Sequence, residues 1–108
     1  MVSDREELIE RARARGSDKQ FLEWLKHQPS AIDGGMDYDW DTGTSWCDPC
    51  HYRTAKNSGT GCKPKYSAVP LTHAQHLEQH RIGQFNFRPR EWWEAKVRSY
   101  LERWIASR

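Results

Sequence analysis

The chain has 108 residues, a mean hydropathy of −1.02 and a net charge of +2 with histidine neutral. That length suits one small domain, with a core near the lower limit of self-sufficiency, and so small a charge does not by itself demand a polyanionic partner. No run approaches membrane-spanning length and no apolar leader-like stretch opens the chain, so a soluble, cytoplasmic protein is expected.

Ser3-Asp4-Arg5-Glu6 has the spacing at which a hydroxyl and a carboxylate satisfy each other's orphan helix amides. A helix follows, with Leu8, Ile9 and Ala12 on its apolar side and Gly16 as its stop. Ser17-Asp18-Lys19-Gln20 repeats the signal and opens a second helix, carrying Phe21, Leu22, Trp24 and Leu25 and ending before Pro29. From Pro29 to Gly61 the chain is rich in Gly, Asp, Ser and Thr with isolated aromatics, which reads as loop and short irregular strands. A short strand or hairpin arm is expected around Trp46 to Arg53. A second, from Tyr66 to Leu71, leads straight into a third capping box, Thr72-His73-Ala74-Gln75, whose helix closes at Gly83. The last helix, Arg90 to Ile105, is entered through Pro89 and gathers Trp93, Val97, Tyr100, Leu101 and Trp104 on one face. No internal repeat and no low-complexity linker divides the chain. The expectation is a single α+β domain over 1–108, with N-terminal helices in 1–28, a strand–loop–helix motif in 46–83 and a Trp-rich helix in 89–106.

Six Trp, four Tyr and three Phe can supply buried area that the scarce aliphatics do not. Trp92, Trp93 and Trp104 have the means to stack on nucleobases, but their helical spacing favours core packing or a homodimer interface. The three cysteines, Cys47, Cys50 and Cys62, cannot all pair within the chain; in a reducing compartment they stay as thiols or bind metal.

Four of the five histidines fall between His51 and His80. At 100° per residue His73, His76 and His80 share one helical stripe, and His76 and His80 stand one turn apart, as two ligands of one metal ion require. A helix alone offers too few ligands, so the set would be completed from elsewhere, with positions left for water and substrate. The bland alternative is a solvated histidine face. Around this window Arg53, Lys56, Lys63, Lys65 and Arg81 stand against one acid, Glu78, a local strip suited to a phosphate backbone. Strand, loop and histidine helix together point to a ββα-metal arrangement.

The segments His51-Tyr52-Arg53, Asn57-Ser58-Gly59-Thr60-Gly61-Cys62-Lys63-Pro64, and Val69-Pro70-Leu71-Thr72 with His76 and His80 resemble the HNH endonuclease superfamily. The likeness is closest to small phage and prophage proteins of that group, and it extends to the Leu22-Glu23-Trp24-Leu25 helix and the Trp-rich tail. The resemblance implies a ββα-metal core flanked by helices, acting as a metal-dependent DNA endonuclease or nickase in a bacterial host. His51 would be the general base, and His76 and His80 would hold a divalent metal, Mg²⁺, Mn²⁺ or Zn²⁺. Relatives often place a further ligand just before the base. Here Cys50 stands there, with Asp48 two positions earlier; a thiolate would favour Zn²⁺, a carboxylate Mg²⁺ or Mn²⁺. Arg53 and Lys63 are the best phosphate contacts, with Lys56 and Lys65 beside them, and Asn57 is the candidate polar residue bracing the loop that carries the base. His73 is off the ligand register, and no second Cys pair accompanies Cys47 and Cys50.

Two rivals come from other classes. Cys47-Asp48-Pro49-Cys50-His51 fits the haem-attachment pattern, but no export signal accompanies it, and the only methionines are Met1 and Met36. A non-catalytic, metal-stabilised module of phage origin, binding nucleic acid or protein through Cys47, Cys50, Cys62 and a histidine, is the stronger one.

Overall fold

The computed structural model describes residues 4–54 and 63–107. It contains helices α1 (Asp4–Arg15) and α2 (Asp18–Leu25), strands β1 (Asp37–Asp39), β2 (Thr44–Trp46), β3 (Asp48–His51) and β4 (Ala68–Leu71), then helices α3 (His73–Ile82), α4 (Gln84–Phe87) and α5 (Arg90–Ala106). The architecture is α+β, with two small antiparallel sheets, β1–β2 and β3–β4. Among the described residues no helix is long and apolar enough to cross a membrane.

The caps form as their chemistry dictates. Ser17 and Gln20 close a reciprocal box at α2, and Thr72 and Gln75 do the same at α3. The first box, at Ser3, lies outside the described residues. The segment after Pro29 is more regular than its composition implies. Asp37 pairs with Trp46, Tyr38 with Ser45 and Asp39 with Thr44, so a true hairpin precedes β3.

Register matters most in the second sheet. Asp48 faces Leu71, Pro49 faces Pro70, Cys50 faces Val69 and His51 faces Ala68. Two opposed prolines are tolerable only where the ladder needs no N–H. The Pro70 carbonyl in fact points outward, accepting from the Ala31 N–H at 2.9 Å, while Tyr52 N–H donates inward to Ser67 O at 3.0 Å. The proline pair therefore occupies a non-hydrogen-bonded position. β4 is shorter than expected at its start, because Tyr66 adopts a left-handed φ of 55°. Such a backbone is unfavourable for a bulky residue and is sustained by its surroundings. Tyr66 N–H donates to Asp18 Oδ1 at 2.8 Å and its hydroxyl to Gly16 O at 2.7 Å, tying the turn to the α1–α2 junction.

The core joins α1, α2 and α5 to β4. All five residues predicted for the apolar face of α5 are buried, so Trp93 and Trp104 serve packing. Trp104 Nε1 donates to Ala12 O at 3.0 Å, and Phe21, Trp24 and Trp104 meet ring to ring. Gly16 permits this approach: a Cβ there would lie 2.7 Å from Trp104 Cζ2. Trp93 stacks on Tyr52 at 5.8 Å with the planes 7° apart. Its Nε1 donates to Gln84 O at 2.9 Å.

Trp93→Ala should lower unfolding free energy by about 3–5 kcal/mol, because it removes a fully buried ring and its hydrogen bond. Trp40→Ala, at a residue 87% exposed, should stay within about 0.5 kcal/mol. Urea denaturation of both variants checks the contrast; equal losses would contradict this assignment of the core.

Candidate functional site

Antiparallel pairing of Asp48 with Leu71 sets Asp48 beside the residue that precedes Thr72, the cap of α3. The start of β3 and the first turns of the histidine helix must therefore meet. Asp48 Oδ2 lies 2.8 Å from His73 Nδ1 and 3.1 Å from His76 Nδ1. A carboxylate only accepts hydrogen bonds, so each Nδ1 carries the proton and a neutral ring presents its Nε2 lone pair. His73, on the same helical stripe but off the ligand register of the resemblance, joins this hydrogen-bonded cluster at the head of α3. A second carboxylate fixes its backbone: Asp37 Oδ2 accepts the His73 N–H at 2.7 Å, where the helix N-terminus favours negative charge. The His76 and His80 rings stand edge to face, with centroids 4.7 Å apart.

Asp48, His76 and His80 open onto a cleft of about 840 Å³, whose lining also includes His51, Arg53 and Lys63. His51 comes from the last position of β3, and the ladder continues beyond it through Tyr52. Ser67 Oγ donates to Tyr52 O at 2.8 Å, and Tyr52 is clamped by the Trp93 stack. Arg53 is held by a two-point amide contact with Gln84, each bond 2.9 Å: Arg53 N–H to Gln84 Oε1, and Gln84 Nε2 to Arg53 O. Gln84 was not legible as a site residue, because its partner is backbone distant in sequence.

Two titrating groups are perturbed. Burial, then the positive charge of Lys63, holds half-buried His51 below the ordinary imidazole range, with Asp18 acting in opposition. For Asp48, burial pushes the carboxyl up, but the hydrogen bonds and charge interactions with His73 and His76 together bring the pKa down.

The two candidates for a further ligand occupy different surroundings. Asp48 reaches the histidines. Cys50 is 1% exposed in the hydrophobic core and absent from the cleft lining, and burial pushes its thiol up to about 12. It is a neutral packing residue here. Cys47 is also a buried free thiol, donating to Gly35 O at 3.4 Å. Among the described residues no three His, Cys, Asp or Glu side chains stand as a ready-made metal cage. The donor chemistry nevertheless suits a divalent cation. It offers two imidazoles a helical turn apart, and Asp48 binds His76 through Nδ1 in the way that orients metal-ligating histidines.

Another wall is α2 with its C-cap residue, which contribute Asp18, Lys19, Leu22, Glu23 and Lys26. Four bases (Lys19, Lys26, Arg53, Lys63) thus face three acids (Asp18, Glu23, Asp48), a more balanced lining than the basic strip alone implies. Of that strip, Arg53 and Lys63 enter the cleft, and Lys65 is exposed outside it. Lys56 and Asn57 lie outside the described residues. Gln79, on α3 between His76 and His80, lines the cleft with its Oε1 buried and unpartnered among the described residues.

Comparison with known proteins returns no matching family model, no similar curated protein and no similar solved structure.

The lowered His51 pKa has a definite linkage sign. Below about pH 6.5 the unfolded chain takes up a proton that the folded chain resists, so this residue's contribution to stability falls as pH drops towards the folded pKa. Imidazole NMR should place the His51 midpoint below about 6.5. His51→Gln should flatten the stability-versus-pH curve in that window. A midpoint above the free-imidazole value would contradict the burial and charge seen around His51.

Proposed function

We propose that this chain is a metal-dependent DNA endonuclease or nickase of the HNH type, built on a ββα-metal core and acting in a bacterial host as a phage or prophage protein. One observation carries the reading: residues far apart in sequence, Asp48, His51, Arg53, Lys63, His76 and His80, converge on a single cleft. The chemistry of each suits phosphodiester hydrolysis.

His51 is the general base in this reading. Burial and nearby cations keep its imidazole neutral at pH 7, the form able to take a proton from an attacking water. His76 and His80 would hold the cation, with Asp48 orienting His76 from its Nδ1 side. Asp48 fixes the His76 tautomer so that Nε2 is free to ligate. A divalent ion bound there supplies neutralisation of charge on the scissile phosphate and the leaving oxygen. Arg53 offers a planar fork to the phosphate, with its backbone pinned by Gln84, and Lys63 adds a second positive contact.

A second reading is a non-catalytic, metal-stabilised binding module; of its cysteines, Cys47 and Cys50 are buried thiols and Cys62 lies outside the described residues. Cleavage of supercoiled plasmid with Mg²⁺, Mn²⁺ or Zn²⁺ separates the two. The nuclease reading expects metal-dependent nicking or linearisation that EDTA stops. His51→Ala should slow it about 10²–10⁴-fold while metal affinity holds. His76→Ala and His80→Ala should each weaken Mn²⁺ or Zn²⁺ binding in calorimetric titration and abolish cutting. DNA binding with intact plasmid under every metal would favour the binding module.

A further inference from the structure

The most exposed large apolar side chain among the described residues is Trp40, in the turn that joins β1 and β2. Its ring meets that of Tyr38, itself 45% exposed, edge to face with centroids 4.6 Å apart. The turn beneath them is well ordered. Asp41 N–H donates to Asp39 Oδ1 at 2.9 Å, Gly43 N–H to Asp39 O at 2.8 Å, and the Thr42 and Thr44 hydroxyls share a 3.0 Å bond. A single exposed aromatic needs no explanation. Two rings packed on each other at the tip of a fixed turn form a prepared contact surface.

Charge selects its partner. Between His27 and Tyr52 the sequence has five aspartates and no Lys, Arg or Glu, although the whole chain is net positive. Two of those aspartates are committed elsewhere: Asp37 caps His73, and Asp48 binds His73 and His76. Asp39 and Asp41 flank Trp40 directly. Aromatic faces attract cations, Trp most strongly, and guanidinium stacks on them as well. Neighbouring carboxylates add charge-assisted hydrogen bonds.

We propose that the β1–β2 turn is a docking site for a basic segment of a partner protein, with an arginine seated on the Trp40–Tyr38 pair and Asp39 and Asp41 engaging adjacent cations. Nucleic acid is the wrong sign for this surface, because a base stacked on Trp40 would bring its phosphates beside two carboxylates. A second copy of the chain is a poorer match. Several of its arginines already lie over rings of their own fold, Arg15 on Trp104, Arg90 on Phe85 and Arg103 on Tyr100. The far end of the hairpin from this turn runs into Asp48 and braces α3 through Asp37.

Fluorescence anisotropy with labelled oligo-arginine, oligo-lysine and oligo-glutamate peptides tests this on the full chain. The expected order is arginine over lysine, with no binding of glutamate. Trp40→Ala, checked for an unchanged circular dichroism spectrum, should weaken oligo-arginine binding roughly tenfold. The Asp39→Asn/Asp41→Asn double variant should weaken it and flatten its salt dependence. Absent binding, or equal binding by Trp40→Ala, overturns the proposal. So does a labelled DNA duplex whose affinity falls with Trp40→Ala, which would make nucleic acid the occupant. Self-association by sedimentation velocity that Trp40→Ala removes, with no peptide binding, would make the occupant a second copy.

Discussion

The register of the β3–β4 ladder is the constraint on which the site depends. A shift by one residue would exchange the faces of the strand, turning His51 towards the core and Cys50 towards the cleft. Several independent features hold the observed pairing. The facing prolines fit only at a non-hydrogen-bonded position. Cys50 and Val69 are buried together, and Tyr52 is fixed at the strand exit by Ser67 on one side and Trp93 on the other. With register set, Asp48 must stand at the head of α3, and the carboxylate bridge to His73 and His76 follows.

Support for the cleft comes from outside the hairpin and its helix. Trp93 on α5 stacks under Tyr52 and binds Gln84 O, and Gln84 in turn clamps the backbone of Arg53. The Trp-rich tail therefore positions the strand exit that carries two cleft residues. α2 forms another wall. Its inward face, Phe21 and Leu25, belongs to the core, while Lys19, Glu23 and Lys26 face the cleft. Lys26 also pairs with Glu23 at 3.4 Å, an exposed contact that adds little to stability.

What could be read from sequence is what local chemistry decides. The α2 and α3 caps, the stop at Gly83 and the buried face of α5 follow from side chains within a few positions of the backbone they satisfy, and all appear as expected. The β1–β2 hairpin was not legible, since its strands are three residues each and its turn is an Asx-type bend amid loop-like composition. The stripe shared by His73, His76 and His80 was legible from helical register, but the bond from His73 to Asp48 was not, because that partner is 25 residues away. Residue identity alone could not choose between Asp48 and Cys50. Their surroundings, which only the assembled sheet defines, differ: Cys50 lies in the core and Asp48 beside the histidines. The role of α2 as a cleft wall is likewise a tertiary fact, invisible in a sequence whose local pattern reports only an amphipathic helix.

The central claim is that His76 and His80, oriented by Asp48, receive a divalent ion in the cleft that His51 also lines. Paramagnetic Mn²⁺ titration, followed through the imidazole resonances of the five histidines, addresses it without relying on turnover. The account predicts that substoichiometric Mn²⁺ broadens His76 and His80 first and His51 next, leaves His27 sharp, and loses this selectivity in Asp48→Asn. Uniform broadening of all five, or broadening unchanged in Asp48→Asn, would contradict it.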